Sequence, residues 1–366
     1  MTNEAQSDPG GTSAEQGRRG VFDKPHLEPK DLVEKLRGQG MTVEDDALPY
    51  FLQVGGYRMK GYWFKWLDPS TKQFPAGTNY RQAIERYEFD RELRQITIDP
   101  LERIEVMLRA AISNVMSKHE GPHWFERDEL FDRRPKTVRL PDGSQKVIPP
   151  SEPFHERVSM AVDKSQRLPI VSYYRRKYRA PQNPPSWIVS ECLTFGDWCK
   201  VYPKIASYNY RLEIARRFKV EDPKVFASWI HALSVLRNTV AHYGRILDAQ
   251  LGVTPARYTP WGLCFPPTQN RTFYQIATII SFLCQACAFP NVRWKEDLSA
   301  LFGRYPNICV QDELGFPPDW HTRPGWAPVR DKPTRQRRKG RYRPRRSANA
   351  SETAGALARS ALVQSS

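Results

Sequence analysis

In the stretch LRNTVAHYGRIL, Leu236 to Leu247, an arginine, an asparagine and a histidine cluster where a helical run of apolar residues ends. Asn238 and His242 stand four apart and share a face of an ideal helix, so the amide can orient the imidazole. Arg237 starts about 140° around the axis from His242. Its long side chain can still converge on the same solvent pocket, especially if the helix end loosens near Gly244. The chemistry open to such a pair is RNA cleavage. An imidazole takes or gives a proton near neutral pH, and a guanidinium holds and neutralises a phosphate. Attack by a ribose 2′-hydroxyl on its own phosphate needs little more. The same cations are also what an ordinary helix C-terminus carries, because the dipole favours positive charge there. Spacing leaves both readings standing.

A second polar pair lies upstream. In PLERIEVMLRAAISNVM, residues Leu101, Ile104, Leu108, Ala111, Ile112 and Val115 recur at three- and four-residue spacing, the stripe of a buried helix face. Glu105 and Arg109 lie beside that stripe. They are either an intrahelical ion pair worth about 0.2–0.5 kcal/mol or a polar pair facing a site. Further on, His119-Glu120-Gly121-Pro122-His123 spells the HExxH of zinc proteases, whose chemistry requires both histidines on one continuous helix. Gly121-Pro122 would break that helix, so a helix end is expected instead. There is no phosphate-binding glycine loop, dinucleotide fingerprint or nucleophile elbow, and no Cys/His cluster with zinc-finger spacing. ATP, dinucleotide and α/β-hydrolase chemistry therefore have no support, and neither metal nor cofactor is expected. Cys284 and Cys287 form a CxxC inside an apolar run with no second pair, which predicts core packing.

The elements that must position these residues read as all-α. Residues 1–20, rich in Gly, Ser, Glu and Gln, predict disorder. A helical part over 21–78 follows, opening with LEPKDLVEKLRGQGM and continuing with ALPYFLQVGGYRMKGYWFKWL, broken near Gly55-Gly56. Its Tyr57, Tyr62, Trp63, Phe64 and Trp66 are expected to pack in the core. From Asn79 long helices are predicted, one over YRQAIERYEFDRELRQITI and another starting at Pro100 as a first-turn proline. KTVRLPDGSQKVIPP reads as a small basic β-hairpin turning at Asp142-Gly143. Trp229, Ile230, Leu233, Leu236 and Val240 form the core face of the helix that ends in RNTVAH. The most apolar stretch, Thr272–Phe289, contains Gln275 and Gln285 and predicts a buried helix, not a membrane span. NICVQDELGFPPDWHTRPGWAP is expected to wrap the body as extended chain. Beyond the helical domain over 21–328, residues 329–366 predict a disordered Arg-rich tail.

Charge sharpens the choice of partner. The formal net charge is +16, and ten Lys/Arg against one acid between Arg330 and Arg346 supply +9 of it. The body is only mildly basic, yet the balance favours a polyanionic partner. Charge alone marks Arg139 and Lys146 of the hairpin, and Arg337, Arg338, Arg341 and Arg343 of the tail, as candidate RNA contacts. Such binding would weaken steeply with salt. MTNEAQSDPGGTSAEQG has no apolar core for export, so a cytoplasmic chain with reduced cysteines and no membrane association is expected.

RNTVAH resembles the signature of the HEPN superfamily, in which an arginine and a histidine stand four to six residues apart. Around it, YFLQVGGYRMKGYWFKW, YEFDRELRQITIDPLERIEVMLRAAI, WIVSECLTFGDW, LRNTVAHYGRIL and LGFPPDW occur in this order and resemble the Abi-type abortive-infection proteins of bacteria. The blocks fall within residues 27–327. The resemblance implies an α-helical HEPN bundle that acts as a metal-independent RNA endonuclease in phage defence. Related nucleases bring two Arg/His pairs into one composite site, which implies a homodimer here. Carried onto this chain, Arg237 would bind the scissile phosphate and His242 would be the general base or acid. Asn238 is the polar residue that many members carry after the arginine. Glu105 and Arg109 fall in a matching segment and become supporting candidates, and Arg245 becomes a candidate RNA contact. A target or regulatory RNA is the implied partner. A non-catalytic RNA-binding protein and an antitoxin-like interaction component with the same fold stay open as alternatives.

Overall fold

A computed structural model describes residues 26–132, 136–139, 143–148, 153–263 and 271–327. The chain begins with α1 (Pro29–Gly38), α2 (Leu48–Gln53) and α3 (Gly56–Trp63), then enters α4 (Tyr80–Glu120), a helix of 41 residues. Asn79 and Gln82 start α4 with a reciprocal cap, and Gly121 stops it with φ 85°. Pro100 does not open a new helix; it lies buried inside α4. An interior proline forfeits one backbone hydrogen bond and crowds the preceding turn, at a cost of about 3 kcal/mol. Burying one large apolar side chain returns about 1.5–3 kcal/mol. Around Pro100, Leu93, Leu101, Ile104 and Leu108 are all fully buried. Packing on both sides of the proline thus outweighs its local preference for a helix start.

The remaining helices gather around that rod. They are α5 (Phe154–Lys164), α6 (Pro169–Lys177), α7 (Ser186–Cys192), α8 (Phe195–Val201), α9 (Tyr208–Arg217), α10 (Pro223–Ala241), α11 (Phe273–Ala286), α12 (Trp294–Arg304) and α13 (Val310–Leu314). Helices α3, α7, α8, α9, α10, α11 and α12 all pack on α4. Strands β1 (Lys136–Arg139) and β2 (Gln145–Ile148) pair antiparallel, with Lys136 opposite Ile148 and Val138 opposite Lys146. Asp142 of the expected turn lies outside the described residues, as do both segments expected to be disordered, 1–20 and 329–366.

Two hydrophobic clusters share α4. The smaller joins Val33 and Leu36 of α1, Phe51 of α2 and Tyr62 and Trp63 of α3 to Tyr80 and Ala83 at the start of α4. The larger fills the rest of the bundle, including the core face of α10. The aromatic block divides between core and solvent. Met59, Tyr62 and Trp63 occupy the buried face of α3, while Tyr57 is 94% exposed and Phe64 sits outside with Lys60 over its ring. Helical periodicity on so short an element hides only one face, so not all five aromatics reach the core.

The C-terminal part also departs from expectation. The Pro/Trp-rich segment is not extended chain: it contains α13 and a short turn at Trp320–Thr322. Gly315 ends α13 in the left-handed region (φ 80°), where a Cβ would meet Thr272 at 2.7 Å. Phe316, Trp320 and Trp326 then bury their rings against one another. Helix α11 is buried almost throughout, and burial pushes the Cys284 and Cys287 thiols up to about 12. Protonated at neutral pH, they are poor nucleophiles. No described helix is long and apolar enough to cross a membrane.

Candidate functional site

Helix α10 starts at Asp222, whose carboxylate accepts the N–H of Lys224 at 2.7 Å, with Pro223 in the first turn. Phe226, Trp229, Ile230, Leu233 and Leu236 are buried against α4, α8, α9 and α11. That burial fixes the rotation of the helix. Arg237 is thereby delivered to α4, while Asn238 and Ala241 stay exposed.

Arg237 donates from Nε to Glu105 Oε2 at 3.1 Å. The other oxygen of Glu105 takes Arg109, one turn along α4. The Glu105 side chain is 8% exposed and that of Arg237 is 32% exposed. One carboxylate between two guanidiniums leaves a net single positive charge. Beyond Nε, the Arg237 side chain makes no hydrogen bond with another described residue. Its terminal guanidinium N–H groups are thus available to an anion arriving from solvent.

The end of α10 is closed tightly. The loosening near Gly244 that would have favoured a pocket shared by Arg237 and His242 does not occur. Tyr243 donates its N–H to the Val240 carbonyl at 3.1 Å, and Gly244 donates to the Thr239 carbonyl at 2.7 Å. These two bonds form a Schellman motif. Its left-handed position usually holds glycine, but here it holds Tyr243, with φ 57°. Gly244, one residue later, allows close approach instead: a Cβ there would stand 2.8 Å from Thr239 Cγ2. His242 is the capping residue and is exposed. Its dihedrals (φ −98°, ψ 19°) depart from those of the helix it caps. Among the described residues, the Asn238 amide makes no hydrogen bond to the imidazole. The two residues are joined through backbone, His242 N–H to the Asn238 carbonyl at 3.0 Å.

A buried carboxylate on α4 holds the segment that follows. Asp90 Oδ1 accepts the N–H groups of Ile246 at 2.9 Å and Leu247 at 2.8 Å. Its Oδ2 accepts the Tyr62 hydroxyl at 2.8 Å and pairs with Arg94. Burial, followed by the Asp90 charge, raises the Tyr62 phenol well above its ordinary range, so it remains a donor. Arg94 reaches the Gly244 carbonyl at 3.4 Å, and Arg58 donates to the Tyr243 carbonyl at 2.6 Å. Every residue from Tyr243 to Leu247 thus has a tether: Arg245 donates to the Gly61 carbonyl of α3 at 2.5 Å. Arg245 therefore ties the turn to the N-terminal helices.

The structure brings Glu105, Arg109 and Arg237 together, and it sets Asn238 and His242 at the exposed end of the same helix. Arg139 lies exposed on β1, and Lys146 is placed by backbone register on β2. Arg337, Arg338, Arg341 and Arg343 lie outside the described residues. Arg58, Tyr62, Asp90 and Arg94 were not among the candidates. The signal for the last two was present: Asp90 and Arg94 interleave with Phe89 and Leu93, a charged i,i+4 pair inside an apolar face. His119 and His123 are split by the end of α4; His119 stacks on Tyr210 and bonds Glu213 at 2.8 Å. Among the described residues, no group of three or more His, Cys, Asp or Glu is placed to hold a metal ion.

A family model described as "Abi-like protein" matches residues 50–248, which contain α4, α10 and the turn after it. No match is found among curated proteins or among solved structures.

Proposed function

Because the chain belongs to the Abi-like protein family, we propose that it acts in abortive infection as a metal-independent RNA endonuclease of the HEPN type. The observation that carries this reading is the α10 terminus. Arg237, steered by a buried carboxylate but still one-third exposed, and the exposed His242 stand on one rigid helix end.

In the reaction, Arg237 donates to the non-bridging oxygens of the scissile phosphate. An imidazole removes the proton of the 2′-hydroxyl, whose oxygen attacks phosphorus. The bond to the 5′-oxygen breaks, and that oxygen takes a proton from an imidazolium. The products are a 2′,3′-cyclic phosphate and a 5′-hydroxyl. One histidine cannot be base and acid in the same step without an intervening transfer, so a homodimer that pairs two copies of the α10 terminus supplies both roles. Among the described residues no side chain hydrogen-bonds the His242 imidazole, and a second copy is a natural source of an orienting group. The same observation favours the second reading, an RNA-binding protein that grips phosphate through Arg237 without cutting.

The test is cleavage of labelled total RNA in EDTA by wild type and by His242→Ala, at matched melting temperature. Cleavage by wild type alone, leaving 2′,3′-cyclic phosphate ends, supports the nuclease. RNA binding without cleavage in both supports the second reading. Adding excess His242→Ala subunits to wild type should suppress activity more than dilution does if two copies share one site.

A further inference from the structure

Beside His242 lies a cleft of about 680 Å³ that the catalytic reading does not use. Its volume falls within the roughly 300–1,000 Å³ of small-molecule sites. Its walls come from the end of α2 (Gln53), from α3 (Arg58), from α4 (Arg91, Gln95 and Ile98) and from the residues on either side of His242, Ala241 and Tyr243. Among the described residues, no acidic side chain lines it. Arg58 spends one bond on the Tyr243 carbonyl, and Arg91 one on Glu88. Both remain exposed, with further N–H groups to offer. Gln53 and Gln95 add exposed amides that both donate and accept. Tyr243 is 69% exposed and kept in a left-handed conformation that a tyrosine rarely adopts. An aromatic ring held out at such a position, with its carbonyl fastened by Arg58, points to a function for the ring.

We propose that this cleft binds a nucleoside phosphate, with the base against Tyr243, the base edge read by Gln53 or Gln95, and the phosphate on Arg58 and Arg91. Guanidiniums suit phosphate oxygens, and an aromatic ring accepts any base by stacking. Its position deepens the nuclease reading, on which it rests for one point only: that the nucleotide belongs to an RNA strand whose next phosphate lies at His242. A free nucleotide offers the same chemistry.

The experiment is calorimetric titration of the full chain with uridine 5′-monophosphate and adenosine 5′-monophosphate, and with the two nucleosides. Saturable binding of the nucleotides is expected, weaker by about tenfold for the nucleosides, which lack the phosphate. Ile98→Trp, which fills the cleft from its exposed rim, should weaken nucleotide binding by about tenfold at unchanged melting temperature. Absence of saturable binding, or equal binding by a folded Ile98→Trp, overturns the proposal. Nucleosides binding as tightly as nucleotides overturns the role of Arg58 and Arg91. Displacement of the bound mononucleotide by a single-stranded RNA octamer assigns the occupant to the strand; saturable binding without displacement assigns it to a free nucleotide. Nucleotide binding by a chain that fails to cut RNA rejects the nuclease and keeps the cleft. Cutting without nucleotide binding rejects the cleft alone.

Discussion

Among the acid–arginine pairs that stand four residues apart on helix α4, Asp90–Arg94 and Glu105–Arg109 are the two that reach other elements through their carboxylates, and the molecule uses them in opposite ways. Asp90 is fully buried; two backbone N–H groups, a tyrosine hydroxyl and Arg94 account for both of its oxygens. Glu105 is nearly as buried, but its partners Arg109 and Arg237 are each part exposed, at 20% and 32%. The first pair is closed, with its charge consumed in fixing a turn. The second is open, with surplus positive charge facing solvent. An i,i+4 ion pair in a sequence thus says little until it is known what else its carboxylate must satisfy.

Removing Asp90 should do the most damage. Asp90→Ala strands a buried guanidinium and two amide donors, and urea unfolding should show a loss of about 3–5 kcal/mol. A loss near that of a surface pair would erase the distinction between the two sites. Glu105→Gln should be milder in stability, about 1 kcal/mol, because both arginines retain solvent. RNA cleavage by this variant should fall about 100-fold as Arg237 loses its alignment. If stability falls as far as for Asp90→Ala with cleavage intact, Glu105 is a second structural clamp. Gly244→Ala drives a Cβ into Thr239 and should cost about 1–3 kcal/mol in thermal unfolding, with cleavage reduced through His242. The smallest change is expected from Tyr243→Gly. Releasing an L-residue from left-handed geometry should raise stability by up to about 1 kcal/mol, net of the added chain entropy. A stability gain accompanied by weaker RNA binding would show strain retained for the ring; unchanged binding would leave the tyrosine with no role in recognition.

The all-α architecture was legible from apolar periodicity, and the core face of α10 was read residue by residue. Pro100 was misread because a local rule was applied where burial on both sides overrides it. The aromatic block was misread in part because composition does not say which face of a short helix turns inward. At the candidate site, the grouping of Glu105 with Arg109 was readable from spacing along one helix. The bond from Arg237 to Glu105 spans 132 residues and depends on how α10 lies against α4, which no local pattern encodes. The charged pair inside an apolar face marked Asp90 as buried, but what it clamps was hidden for a related reason. Its acceptors serve backbone N–H groups, which leave no trace in side-chain identity.

The continuity of α4 also constrains the gene. Asp90 fixes the chain beyond His242, Glu105 fixes Arg237, and the interval between these two anchors is continuous helix. Each residue of α-helix turns the face by about 100° and advances it by about 1.5 Å. A one-codon insertion or deletion between positions 90 and 105 would therefore swing one anchor away while the other stayed engaged, even if every side chain in the site were kept. Homologous genes should vary in the exposed letters of this interval and hardly at all in its length.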